Sequence, residues 1–191
     1  MHKLVISILF IFLVTSMFSQ KIKWEVDTVF SEITFDVNHL IFTNVDGEFF
    51  GFDGIAYSDS ADFSDIKITF VVYPKSLKTD KDLRDETLKS DRFLDVDNYK
   101  TIVFTSIKMG VSEVGSPMIT GLMTMFGVKK LVSFNLVYKG GKKDMHEREF
   151  ADFEISGTIY PEEWGWNNPP FVSKKVRVQG KVRLIKIGLS Y

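Results

Sequence analysis

Beyond residue 19 this chain carries two histidines, His39 and His146, and it has no cysteine at all. Cysteine-based metal sites are therefore excluded, and neither histidine stands at metal-ligand spacing from further donors. A Ser-His-Asp arrangement needs its serine on a tight turn and its base steadied by an acid. Ser31 and Ser133 instead lie inside strand-like runs, and no GxSxG is present. His146 falls in the charged turn KKDMHERE, where exposure to solvent is the plain reading. His39 closes an apolar strand face and is the better candidate for a role. It reads as a satisfied core or rim residue, as a ligand contact or, last of the three, as a base. Carboxylates are plentiful in Asp59/Asp62/Asp65, Asp80/Asp82/Asp85 and Asp91/Asp95/Asp97, but they cluster in polar turns without a glycosidase signature. Glycine-rich phosphate loops and Rossmann or Walker spacings are missing. These residues assign no catalytic group and no metal ligands, so the expectation is a protein that is not an enzyme.

Arg84 and Asp85 belong to the stretch KTDKDLRDETLKSDRFLD, Lys78–Asp95, which is dense in charge and free of proline and glycine. Leu83, Leu88, Phe93 and Leu94 do not alternate there, which predicts one short helix at about 80–92. Asp80 or Asp82 would cap it, and Asp85, Glu86 and Lys89 have the charge order that suits helix ends. Two readings stay open. One is a solvated helix over an end of a β-body; the other is a lid that sets Arg84 and Asp85 at the mouth of a cavity.

The rest must be strands to hold such a mouth. Ile33, Phe35 and Val37 alternate with Thr34, Asp36 and Asn38, the pattern of a half-buried strand. Val45–Tyr57 is apolar but broken by Gly47, Gly51 and Gly54, which favours bends at a barrel corner. Ile66–Tyr73 alternates until Pro74, and Thr101–Met109 follows as a further strand. Gly110–Pro117 reads as a turn. Pro117–Phe126 and Leu131–Tyr138 read as a hairpin about residues 127–130, with Gly140–Lys143 as the next turn. Arg148–Tyr160 and Lys175–Ile187 alternate again, the last with Lys175, Arg177, Gln179, Lys181 and Arg183 on a solvated face. PEEWGWNNPPF, Pro161–Phe171, is a rigid aromatic connection that either plugs one barrel end or offers a platform to a sugar or partner. About eight strands in hairpin succession, one helix and no βαβ rhythm point to an all-β, eight-stranded antiparallel barrel, with a two-sheet sandwich as the rival.

The chain has 191 residues, 45% of them hydrophobic, and a net charge of −1. Its opening MHKLVISILFIFLVTSMFS has a basic start, a short apolar run and small or polar residues after it, the layout of a secretory signal peptide over residues 1–19. A single domain over 20–191 and a place in the periplasm, or outside the cell, are the expectations. Without cysteine no disulfide framework supports such an exported fold. Residues 1–19 include Lys3 and no acid, which leaves 23 basic against 25 acidic residues and argues against a nucleic-acid partner. Phenylalanine occurs 18 times in the chain. Phe35, Phe49, Phe70 and Phe104, with Met123 and Met125, would give a wide apolar interior, either packed solid or lining a lipid cavity.

With these segments in view the chain resembles the YceI-like family of exported, lipocalin-like polyisoprenoid-binding barrels, over essentially all of its length beyond the leader. The most specific segment is SLKTDKDLRDETLKSDRFLDVDNYKTIVFTS. There Ser76, Thr79, Arg84, Asp85, Leu88, Lys89, Ser90, Phe93, Asp95, Val96, Tyr99, Ile102, Phe104 and Ser106 match the family pattern. The resemblance implies a lipocalin-like barrel holding a long-chain isoprenoid, such as an isoprenoid quinone or another polyprenyl lipid, and no other cofactor. It implies ligand contacts from His39, Arg84 and Asp85 near a headgroup and from Phe35, Phe49, Phe70 and Phe104 along a tail. Transient membrane contact and a homodimer are compatible with it. Phe30, Thr87 and Phe126 stand where the family usually has histidine, and Tyr160–Gly165 replaces a late R-x-D-F-G element. Either the headgroup preference differs here or the pocket has partly filled.

Overall fold

The computed structural model describes residues 21–39, 43–166 and 172–189. The expected signal peptide lies outside the described residues. The strands are β1 (Ile22–Val26), β2 (Glu32–His39), β3 (Thr43–Phe49), β4 (Phe52–Ser58), β5 (Lys67–Val72), β6 (Leu77–Lys78), β7 (Ile102–Val111), β8 (Pro117–Met125), β9 (Val128–Lys143), β10 (Glu149–Ile159) and β11 (Val172–Leu189); helix α1 covers Asp82–Lys89. All pairings are antiparallel, and β1-β4-β5-β7-β8-β9-β10-β11 closes on itself through β1 and β11. This is the expected eight-stranded barrel, and closure leaves those eight strands no free long edge.

The long β11 shows how the barrel is extended. Its last residues pair with β1, from Val26↔Leu184 to Ile22↔Leu189, and its first with β2, from Glu32↔Lys181 to His39↔Val172. Thus β1 and β2 are two halves of one wall, and β3 and β4 are two halves of the next. The second wall breaks at Phe50–Gly51, where Ser76 packs so closely that a Cβ on Gly51 would sit 2.9 Å from it. Beyond the break β3 pairs with the two-residue β6 instead of β5. The chain from Pro74 through α1 to Lys100 fills the place where a strand would otherwise close that half.

The β1/β4 half is packed solid. Phe63, in the β4–β5 loop, takes a left-handed φ of 57° and turns into the barrel end. Its ring meets Trp24, Phe153 and Tyr138, each at 5.1 Å between centroids. Burial of so large an aromatic side chain offsets an uncommon backbone conformation. The loop is held by Asp65, whose carboxylate accepts the Ser58 hydroxyl and the N–H groups of Asp59 and Ser60. Burial pushes the Asp65 carboxyl up, yet these hydrogen bonds bring it down to about 2.

Three local expectations are corrected. No side chain caps α1: Lys81 is the N-cap residue, and Asp80 pairs with Arg84 instead. The β8–β9 turn is tighter than residues 127–130, because Phe126 (φ 51°) and Gly127 (φ 75°) supply two consecutive left-handed residues and Val128 already pairs with Met125. Gly140–Lys143 is no turn but the end of β9. Gly140, at φ 109°, accommodates an irregularity opposite Asp152/Phe153, and the chain reverses at Asp144–Arg148. Asp144 fixes that reversal by accepting the His146 and Arg148 N–H groups at 2.8 and 3.0 Å.

Candidate functional site

The β2/β3 half of the barrel is not filled. It holds a cavity of about 340 Å³ whose lining is almost wholly apolar. The inner face of β2 supplies Ile33, Phe35 and Val37, β8 supplies Met123 and Met125, and β11 supplies Val176 and Val178. These residues face inward because strand side chains alternate, so a two-residue spacing puts each set on one face. The segment replacing a closing strand forms the remaining wall: Leu77, Leu88, Phe93 and Leu94, with Arg84 and Thr87 as its polar members.

Beyond β6 this wall is latched by side chains rather than hydrogen-bonded as a strand. Asp85 is 2% exposed, and one carboxylate oxygen accepts the Thr79 N–H at 2.8 Å and the Thr79 hydroxyl at 2.5 Å. The other oxygen has no hydrogen bond among the described residues and lies 3.7 Å from the Lys78 ammonium. Burial raises the Asp85 carboxyl, but the Thr79 hydrogen bonds and the charges of Lys78 and Lys89 more than offset it and leave it below its ordinary value. Arg84 donates through Nε to Thr79 Oγ1 at 3.0 Å and through its terminal nitrogen to Asp80. Thr87 donates back to the Leu83 carbonyl at 2.9 Å, so its oxygen keeps accepting capacity beside the cavity.

The aromatic connection after β10 also contributes to the lining, through Pro161 and Trp166. Trp164 is 2% exposed and its indole N–H donates to the Met123 carbonyl at 3.1 Å. This part of the connection is a plug, not an exposed platform; 167–171 lie outside the described residues. Trp166 lines the cavity with its ring 5.8 Å from Phe93, and its buried Nε1–H has no partner among the described residues.

The residues singled out from the sequence therefore separate. Phe35, Phe49 and Arg84 line the cavity. Asp85 stands behind it as the latch. Phe70 stacks on Phe52 at 5.8 Å and Phe104 meets Phe134 edge-on at 5.6 Å, both in the packed core rather than in the lining. His39 ends β2, and its side chain lies outside the described residues. Of the positions where histidine is missing, Thr87 and Phe126 line the cavity, whereas Phe30 is 61% exposed and covers Arg183 on the outer surface at 4.8 Å. Trp166 was not singled out as a lining residue; its signal was the proline-bounded aromatic run. Among the described residues no group of three or more His, Cys, Asp or Glu could hold a metal ion.

The closed antiparallel barrel has counterparts among known proteins. The YceI-like domain model matches residues 24–184. The chain belongs to the YceI-like family. A UPF0312 protein of Staphylococcus aureus (strain USA300) is 30% identical over 142 residues, covering 74% of this chain and 80% of that protein. Among solved structures, the YCEI protein of Campylobacter jejuni superposes with a TM-score of 0.69 at 22% identity, covering 78% of this chain and 89% of that one. A polyisoprenoid-binding domain from Saccharophagus degradans superposes with a TM-score of 0.64 at 12% identity, covering 87% and 100%. At such identities the two structures establish the YceI fold, and the cavity chemistry must be taken from this chain's own residues.

Proposed function

We propose that this YceI-like protein is a non-catalytic binding protein that holds an isoprenoid or related long-chain lipid in the barrel, for carriage, storage or sequestration. The observation that carries the reading is the apolar cavity of about 340 Å³ between β2, β8, β11 and the α1 segment. Each methylene moved from water into such a space contributes about 0.8 kcal/mol, so a flexible hydrocarbon is the ligand class that gains most from it. Arg84, Thr87 and the Trp166 N–H sit beside the apolar lining and suit a polar head with acceptor oxygens. The polyisoprenoid-binding neighbour from Saccharophagus degradans supports the isoprenoid class. The leader-like residues 1–19 support export to the periplasm or beyond the cell. Leu83, 81% exposed on α1, supports transient contact with the membrane from which such a lipid would be loaded.

A filled barrel acting as an envelope interaction protein is the competing reading. It is disfavoured by the open cavity and by Trp164, which packs on its own barrel rather than projecting outward. Mass spectrometry of organic extracts from natively purified protein decides between them. A co-purifying isoprenoid or other long-chain lipid at near-stoichiometric yield is the expected result; repeated extracts free of any lipid would sink the carrier reading.

A further inference from the structure

The cavity stops part-way along the barrel, and the side chains that stop it are identifiable. Phe104 from β7 and Phe134 from β9 meet edge-on beyond the lining residue Met123, which pairs directly with Phe104. Each ring occupies space that a glycine leaves free: a Cβ on Gly121 would intrude on Phe104, and one on Gly157 would intrude on Phe134. Ile33 uses Gly180 in the same way, with its Cδ1 2.7 Å from where a Cβ would be. The absent Cβ atoms make room for large side chains to lie over their neighbouring walls. Beside this layer Phe70 pairs with Phe104 and stacks on Phe52, and the Phe63, Trp24, Tyr138 and Phe153 cluster fills the β1/β4 half, so further depth is taken up by rings.

A dry cavity of about 150 Å³ accommodates benzene. At that occupancy, about 340 Å³ takes on the order of fourteen carbons. We propose that the cavity is measured for a short prenyl chain of about three isoprene units, with Phe104 and Phe134 as its stop. This rests on the isoprenoid reading above and adds to it the length that the barrel selects. Within the lining, Arg84 is already paired with Asp80 and Thr79, which suits a neutral head better than a diphosphate.

The test is a titration of the lipid-free full chain with geraniol, farnesol and geranylgeraniol, followed by tryptophan fluorescence because Trp166 borders the cavity. Affinity should rise roughly a hundredfold from geraniol to farnesol, within what five buried carbons can supply, and then change by less than about threefold for geranylgeraniol. Phe104→Ala should move the break to geranylgeraniol, and Phe104→Leu serves if the alanine variant does not fold. Continued tightening of the unaltered protein through geranylgeraniol overturns the length limit while leaving an isoprenoid carrier intact. A break unmoved in a folded Phe104 variant overturns Phe104 as the stop. Failure to bind any of the three prenols overturns the isoprenoid reading itself, and the length limit falls with it.

Discussion

Asp85 ties α1 to the stretch after β6 through Thr79 and Lys78, and it is not itself part of the cavity lining. It is buried with half its carboxylate satisfied by Thr79 and the other half 3.7 Å from the Lys78 ammonium. Replacement of Asp85 by Asn should cost about 1–3 kcal/mol in urea unfolding, the usual range for losing charge-assisted hydrogen bonds in a buried place. The same residue sets a pH dependence. The carboxyls of Asp85 and Asp65 are both depressed in the folded protein, Asp65 to about 2. A depressed carboxyl contributes stability that is fully present above its unfolded value near 4 and is lost as pH falls through its folded value. Unfolding midpoints should therefore hold from pH 7 to about pH 5 and fall progressively between about pH 4 and pH 2. In the Asp65→Asn variant that fall should be shallower; an unchanged acid limb would show that Asp65 does not contribute to it.

At the scale of elements, the two pieces that shape the site are connections. The Pro161–Trp164 turn is tied to β8 by the Trp164 indole donating to Met123. Trp164→Phe loses that bond and the pyrrole half of a buried indole, so it should cost about 2–3 kcal/mol and speed amide exchange in residues 161–166. Exchange there at the unaltered rate would mean that packing alone holds the plug. Glycines in β8, β10 and β11 shape the interior as much as the apolar residues do. Gly157→Ala should destabilise the fold by about 1–3 kcal/mol in chemical denaturation, since its Cβ must displace Phe134. The strands themselves were legible from alternation, as in Ile33/Phe35/Val37 and in the Lys175–Arg183 face. The ends of β9 were not, because Gly140 and Gly141 look alike whether they terminate a strand or accommodate an irregularity within it.

For the whole molecule, the division into a solid half and a hollow half predicts how ligand and stability are linked. A ligand that binds only the folded barrel adds about 2.7 kcal/mol at a hundred times its dissociation constant. Farnesol at that concentration should raise the thermal midpoint by several degrees, and Arg84→Ala should reduce the shift without lowering the midpoint of the ligand-free protein by more than a degree or two. The small cost expected follows from the exposure of its ion-pair partner Asp80, at 73%, although the Arg84 side chain itself is only 24% exposed. Equal midpoints with and without farnesol would remove the linkage.

The sequence by itself determined the barrel, the position of helix α1 and the family, because strand alternation and the Ser76–Ser106 segment are local patterns carried in consecutive residues. It also marked Arg84, Phe35 and Phe49 as residues of one site. Which aromatic rings line a space and which fill one was decided only by tertiary structure. Phe35 and Phe104 are equivalent as members of apolar strand faces, but Phe35 lies in the half where α1 replaces a strand. Phe104 lies where Phe134, seated over Gly157, completes the packing. That difference depends on which walls meet across the barrel, a property of strand register and closure that no single segment encodes.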